Sequence, residues 1–305
     1  MKLIVATCQF PTSADTSRNL LYVLKQMHSA KHKGAHVAHF PEACLSGYAG
    51  HDIKSYKGFD WELLKTSVLE IISQARKLKL WVILGSIHRL TGPHKPHNSL
   101  YIISDHGELV DRYDKMFCAG DRSGRSGELL HFNPGNHFSV FDIRGVRCGA
   151  IICHEYRYPE LYREYKRKGV ELMFHSYHAA NIGQGRYKAM QKQVGGEFHK
   201  LNRGSTLPEI TMPASMQAAS ASSHIWISCS NSSARESCWP SFFVRPDGVI
   251  IGRLRRNMPG VLISTVNTRQ KLYDSTVAWR ERAMRGIYHS GKLIKDRRSD
   301  ERKLL

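Results

Sequence analysis

Val146-Arg147-Cys148-Gly149-Ala150-Ile151-Ile152-Cys153-His154-Glu155-Tyr156-Arg157-Tyr158-Pro159-Glu160 is the stretch on which the architecture turns. Residues 146–152 form an apolar run of strand length, and Arg144-Gly145 just before it pairs the run with residues 138–143 as a hairpin. The run ends at Cys153. Pro159 then suits the first position of a short polar helix that reaches about residue 168. A strand therefore hands a cysteine to the start of a strand-to-helix connection.

The same alternation extends in both directions. Residues 2–9 read as a strand, and residues 19–30 as a helix with Leu20, Val23, Leu24, Met27 and Ala30 on one stripe. Gly34 stops that helix, and residues 35–40 form a strand ending at Pro41-Glu42. Leu64, Val68, Ile71, Ile72, Ala75 and Leu78 mark the clearest amphipathic helix. Residues 81–87 are a buried-type strand. Residues 99–103 and 109–113 flank Asp105-His106-Gly107 as a hairpin, with Lys115 just beyond it. After Cys153, residues 170–174 and 225–229 read as strands, residues 212–222 as a small-residue helix, and residues 261–266 as a last strand. A further hairpin spans 242–254 across Pro246-Asp247-Gly248. The polar stretch 176–208 reads as a loop with one helix. Strands, hairpins and amphipathic helices in this mixture predict an α/β fold with sheets layered between helices. The hairpins disfavour a purely parallel Rossmann sheet, and no G-x-G-x-x-G follows the first strand, so a dinucleotide cofactor is not expected.

Composition narrows the function classes. The 305 residues are 41% hydrophobic, enough for a large core, and no repeat or low-complexity linker divides them. No apolar run of about 18 residues occurs, and the first ten residues turn polar too soon for a signal peptide, so the expectation is a cytoplasmic protein with no membrane segment. Seven cysteines without a C-x-x-C pair suggest reduced thiols, and 17 histidines without H-E-x-x-H suggest no metal site. The net charge of +19 welcomes anionic ligands. It is dispersed, apart from Arg253-Leu254-Arg255-Arg256 and the 292–303 tail, so nucleic acid is not the expected main partner.

Glu42, Lys115 and Cys153 each follow a strand, and the ends of strands are where open α/β sheets gather their ligands. Each of them alone is weak evidence. A Cys-His hydrolase would need a histidine facing Cys153, and His154 is poorly placed because neighbours in extended backbone point to opposite faces.

In combination the residues say more. Phe40-Pro41-Glu42-Ala43-Cys44-Leu45-Ser46-Gly47-Tyr48, Asp114-Lys115-Met116-Phe117 and Cys153-His154-Glu155-Tyr156-Arg157-Tyr158-Pro159-Glu160 resemble, in order and separation, the three blocks of the nitrilase superfamily of carbon-nitrogen hydrolases. Asn19-Leu20, Gly34-Ala35, Glu128 before Pro134-Gly135, and Pro246-Asp247-Gly248 extend the resemblance over roughly residues 1–267. It implies a single α-β-β-α sandwich domain at 1–267, with Cys153 as nucleophile, Glu42 as general base, Lys115 as oxyanion stabiliser and Glu128 positioning lysine and substrate. A thiol attacks as thiolate, so a carboxylate to take its proton and an ammonium to steady the tetrahedral oxygen suit that chemistry.

The implied reaction is hydrolysis of a non-peptide amide or N-carbamoyl C–N bond through a Cys153 thioester, releasing ammonia. His154 and Glu155 depart from the family's usual residues, and Arg157-Tyr158-Pro159-Glu160 is nearer the amidase and carbamoylase branches than the nitrilases, as is Met216-Gln217-Ala218. Tyr48, His154, Arg157 and His178 are the candidates to bind substrate. The resemblance also implies a homodimer or higher homo-oligomer, with residues 268–305 a basic extension that serves as an arm or is partly disordered. The competing expectation is a basic nucleic-acid- or partner-binding protein on an inactive hydrolase fold.

Overall fold

The computed structural model describes residues 2–303; Met1 of the 1–267 domain and the last two residues of the 268–305 extension lie outside the described residues. The first half of the chain builds β1 (Lys2–Gln9), α1 (Thr16–His32), β2 (Val37–His39), α2 (Trp61–Leu78), β3 (Trp81–His88), β4 (His97–Ile103) and β5 (Leu109–Asp114). The second half builds β6 (Val140–Ile143), β7 (Val146–Ile152), α3 (Pro159–Arg167), β8 (Leu172–Tyr177), α4 (Gln184–Val194), α5 (Leu207–Ser223), β9 (Trp226–Asn231), β10 (Phe242–Val244) and β11 (Ile250–Arg253). β12 (Gly260–Asn267) returns to pair antiparallel with β1, and the short α6 (Arg280–Met284) and α7 (Arg297–Asp300) follow.

The strands form two six-stranded sheets, ordered β12-β1-β2-β3-β4-β5 and β11-β10-β9-β8-β7-β6. The two are alike in plan. Three parallel strands, β1-β2-β3 or β7-β8-β9, carry the centre, and antiparallel strands flank them. Parallel strands need helical crossovers, and these cover the outer faces. Alternation along β1 sorts its side chains accordingly. Leu3 and Val5 join the core between the sheets, while Ala6 and Cys8 pack with Val23 and Met27 of α1 and Ile71 and Ala75 of α2. On the opposite side Tyr162 and Tyr165 of α3 and Met212 and Met216 of α5 bury against the second sheet. The result is an α-β-β-α sandwich.

Several boundaries differ from the sequence reading. β2 holds only three residues, because Pro41 lacks an N–H and the chain leaves the ladder once the Phe40 N–H has bonded the Ile83 carbonyl at 2.9 Å. The polar stretch 176–208 contains α4, of which Tyr187 is the buried residue, so no periodic stripe announces it. Residues 268–303 carry α6 and α7.

The sheets meet through a polar seam as well as an apolar core. Ser176 donates its hydroxyl to the Phe40 carbonyl at 2.8 Å, so at 2.8 Å from His39 Nε2 it accepts. His39 Nδ1 then accepts from Ser228, whose oxygen in turn receives the Thr7 hydroxyl at 2.7 Å. One neutral imidazole thus ties β2 to β8 and β9. Burial pulls its pKa from 6.5 down to about 3.

A stability prediction follows, since folding selects the neutral ring. This contribution is complete above pH 6.5 and is lost as the pH falls toward 3, at about 1.4 kcal/mol per pH unit for one histidine. Urea unfolding between pH 6.5 and 4 should show that slope, and His39→Gln should reduce it by about one proton's worth. An unaltered slope in the variant would contradict the assignment.

Candidate active site

Glu42, Lys115, Cys153 and His178 follow β2, β5, β7 and β8, and the structure brings these chain positions together. Lys115 is placed by its own backbone, its N–H bonded to the Asn98 carbonyl at 2.9 Å and its carbonyl to the Gly135 N–H at 2.8 Å. Its Nζ lies 2.9 Å from Glu42 Oε1 and 2.7 Å from Glu128 Oε1. All three side chains are buried. Burial alone would drive the proton off Lys115, but Glu128 and then Glu42 outweigh it and raise the pKa well above that of ordinary lysine. Burial also works against the Glu128 carboxylate, yet Lys115 holds its pKa below the usual value.

The two carboxylates are held differently. Glu42 Oε1 accepts from Lys115 and from Asn98 Nδ2 at 2.7 Å, and Oε2 accepts the His178 backbone N–H at 2.8 Å. Glu128 sits in a 3₁₀ turn, Gly127–Leu130. Its Oε1 takes Lys115, Asn98 at 3.3 Å and the Tyr48 hydroxyl at 2.7 Å, while Oε2 takes the Ala119 N–H. Glu128 is the more fully committed of the pair.

Cys153 adopts φ +45°, a left-handed conformation that costs a residue with a side chain about 1–2 kcal/mol. Its carbonyl is pinned from outside. Tyr162 donates to His175 Nδ1 at 2.6 Å, so His175 Nε2 carries the hydrogen that reaches the Cys153 carbonyl at 3.1 Å. Burial first and Glu42 second raise the Cys153 pKa well above normal, with Lys115 opposing them. Both influences favour the thiol over the thiolate. Among the described residues no imidazole is hydrogen-bonded to that thiol, and Glu42 is the carboxylate whose charge acts on it most. Lys115 spends two of its three donors on the glutamates, so one remains for an oxygen developing near Cys153.

The other candidates divide. Tyr48 serves Glu128. His178 contributes its backbone N–H to Glu42, while its buried ring turns to Asp52, with Nε2 2.7 Å from the carboxylate. His154 is half-buried beside Tyr158, its Nε2 3.4 Å from the phenolic oxygen. Arg157 is exposed and lies over the Tyr156 ring at 4.8 Å. Met216 lies beneath the Tyr162 and Tyr177 hydroxyls at 3.1 and 3.0 Å, and Gln217 bonds the Gly248 carbonyl, so both serve packing. Among the described residues no cluster of His, Cys, Asp or Glu could hold a metal ion.

Sequence reasoning missed Asn98, Asp52 and the work of Glu155. Glu155 is fully buried and accepts from the backbone N–H groups of Ile152, Met116 and Phe117 and from the Tyr113 hydroxyl, all within 3.1 Å. It ties the Cys153 turn to the Lys115 turn. Its place two residues after the cysteine was the available signal.

The sequence model described as carbon-nitrogen hydrolase matches residues 4–272. The chain belongs to the carbon-nitrogen hydrolase family. Curated relatives include nitrilase homolog 2 of Dictyostelium discoideum, 27% identical over 52% of this chain and 48% of that protein, and omega-amidase NIT2-B of Xenopus laevis, 30% identical over 56% and 62%. The chain spans about half of the first relative's length and 62% of the second's. An amidase of the nitrilase superfamily from Nesterenkonia, solved as an alanine mutant, superposes with a TM-score of 0.72 at 18% identity over 93% of this chain and 96% of that one. The α-β-β-α sandwich is therefore the carbon-nitrogen hydrolase fold.

Two measurements test this geometry. If Cys153 rests as a thiol, Cys153→Ala should remove no thiolate absorbance near 240 nm at pH 7, whereas loss of a full thiolate band would refute the protonated state. Gly85 of β3 lies directly under the Glu42 turn, where an added Cβ would strike the Pro41 carbonyl oxygen and approach Ala43 N at 2.9 Å. Gly85→Ala should cost about 1–3 kcal/mol in urea unfolding. Gly183→Ala, with nothing within 4 Å, should change little.

Proposed function

We propose that this protein hydrolyses the C–N bond of a small non-peptide amide through a thioester on Cys153. The observation that carries the reading is the buried Lys115 ammonium held between Glu42 and Glu128 beside the strained cysteine. Family membership and the omega-amidase relatives support it.

In this mechanism Glu42 removes the Cys153 proton as sulfur attacks the amide carbon. The carbonyl oxygen becomes anionic and accepts the remaining Lys115 donor, with the His154 backbone N–H as a second donor. Because Lys115 stays protonated in its carboxylate cage, the donor is charged at every pH near neutrality. The tetrahedral adduct collapses, the C–N bond breaks, and Glu42 returns its proton to the departing nitrogen, which leaves as ammonia. Water then enters, Glu42 takes a proton from it, and hydroxide attack on the thioester releases the acid and restores the thiol. Glu128, saturated by its own donors, orients Lys115.

The homo-oligomer implied by the sequence finds support in the segment after β12, where Tyr273, Tyr288, Leu293 and Ile294 expose most of their surface. Light scattering at micromolar concentration should then give a mass above the 34.7 kDa monomer.

The central test is ammonia release from a panel of primary amides and N-carbamoyl compounds. Cys153→Ala should abolish it, while Glu42→Gln and Lys115→Ala should each lower kcat by at least about a hundredfold, the scale of a lost base or oxyanion donor. A slow substrate should leave an acyl mass on Cys153. Near-normal turnover in any of the three variants would defeat the mechanism, and salt-dependent RNA binding with no ammonia from the panel would favour the binding-protein reading.

A further inference from the structure

Two buried ionisable side chains beside the site have no part in the reaction above: Asp52, in the loop after Tyr48, and the ring of His178, which follows β8. Neither side chain is exposed, and His178 Nε2 lies 2.7 Å from Asp52 Oδ2. Burial works against the Asp52 charge, but the His178 ring, the Tyr48 N–H and Asn181 keep its pKa below the usual value. A carboxylate only accepts, so Nε2 carries the hydrogen. His178 Nδ1 is buried and has no hydrogen-bond partner among the described residues, so Asp52 is the group that holds the ring.

Asp52 stands behind both glutamates. Its Oδ2 accepts the Tyr48 backbone N–H at 2.9 Å, and the Tyr48 hydroxyl donates to Glu128 at 2.7 Å. The same oxygen accepts His178 Nε2, and the His178 backbone N–H donates to Glu42 Oε2 at 2.8 Å. Tyr177 strengthens this grip, since its carbonyl accepts the Glu42 N–H at 3.2 Å. One oxygen therefore joins the loop that serves Glu128 to the strand exit that serves Glu42. The two arms also touch each other, with the Tyr48 ring edge-on to the His178 ring at 5.1 Å between centroids. Asn181 Nδ2 donates to Oδ1 at 2.9 Å, which leaves Oδ2 to the arms. The His178 N–H acts on Cys153 as well, where it favours the thiolate, so its direction bears on both partners of the first proton transfer.

We infer that Asp52 is a positioning residue for both glutamates: by holding the Tyr48 backbone and the His178 ring on one oxygen, it fixes the two donors that orient Glu128 and Glu42. The inference rests on the amide-hydrolase reading, in which Glu42 carries the proton and Glu128 orients Lys115. Misplacing a reacting group by about 1 Å can cost about a hundredfold in rate, so a clamp two hydrogen bonds from the chemistry still governs kcat. The role asks for an acceptor at Oδ2 rather than for charge. Asparagine can supply that oxygen, with its amide nitrogen turned to Asn181, whose side chain can reverse to accept; alanine cannot.

The test compares wild type, Asp52→Ala, Asp52→Asn and His178→Leu on an amide that the wild type hydrolyses, with circular dichroism to check the fold of each. Asp52→Ala should lower kcat by at least about tenfold and leave KM within about twofold, since the residue touches no substrate. Asp52→Asn should restore kcat to within about threefold of wild type. His178→Leu cuts one arm from the other side and should show part of the same loss, and adding it to Asp52→Ala should cost nothing further. Where Asp52→Ala does not fold, His178→Leu decides by the same criteria. Unchanged kcat, a loss confined to KM, or an equal loss in Asp52→Asn would each overturn the proposal, the last because charge rather than position would then be at work. Alkylation of Cys153 by iodoacetamide at pH 7, followed by mass spectrometry of its peptide, needs no amide turnover and separates this from failure of the catalytic reading. If wild type releases ammonia from none of the panel, alkylation slowed by at least about fivefold in Asp52→Ala and restored in Asp52→Asn still supports the positioning of Glu42 by Asp52, and equal rates in all three refute it.

Discussion

Lys115 keeps its charge inside the protein, and that single requirement organises the site around it. An ammonium removed from water is tolerated only where opposite charge and hydrogen bonds replace the solvent, and Glu42 and Glu128 supply both. Each carboxylate then needs partners of its own. Asn98 bridges the two, Tyr48 and the Ala119 N–H complete Glu128, and the His178 N–H completes Glu42. Loss of one member would leave the others buried and uncompensated, so the arrangement is cooperative. A charged donor is thereby kept in a fixed place before any substrate arrives, which is what electrostatic stabilisation of an oxyanion demands.

Such a cluster draws on both sheets, and the fold has to hold them in register. Glu42 and Lys115 leave the first sheet, Cys153 and His178 the second. Apolar packing between the sheets is strong but non-directional, and would tolerate small slides. The seam through Thr7, His39, Ser176 and Ser228 is directional, because each hydroxyl and ring nitrogen has an assigned partner. It lies on the strands that deliver Glu42 and His178. Polar residues deep in this core thus set position where hydrophobic contacts set only proximity.

The strands before Glu42 and Cys153 were legible as runs that stop at Pro41 and at the cysteine itself, and the strand before Lys115 as the second arm of the Asp105-His106-Gly107 hairpin. The layered architecture followed from hairpins and amphipathic helices, and the pairing of two sheets from the family resemblance. What local pattern could not reveal was partnership across the chain. Asn98 is the second residue of β4, directly after a His- and Pro-rich connection, and only the folded register shows it bridging two glutamates. His178 and Tyr48 have sequence positions that suggest substrate contact, but His178 Nε2 is engaged with Asp52 and the Tyr48 hydroxyl with Glu128.

Glu155 shows why the cysteine turn can hold a costly backbone conformation. Its two oxygens gather donors from both sides: Ile152 immediately before the cysteine, and Met116, Phe117 and Tyr113 around Lys115. Burial pushes its pKa up to about 7, while those donors and the Lys115 charge favour the carboxylate. If either turn relaxed, Glu155 would lose donors and its burial would become unfavourable. Relaxation of the Cys153 turn toward an ordinary conformation is therefore opposed from within by Glu155 and from outside by His175 on the Cys153 carbonyl. A strained residue persists where its surroundings over-determine it, and here the same contacts that hold the strain also fix the sulfur relative to the ammonium.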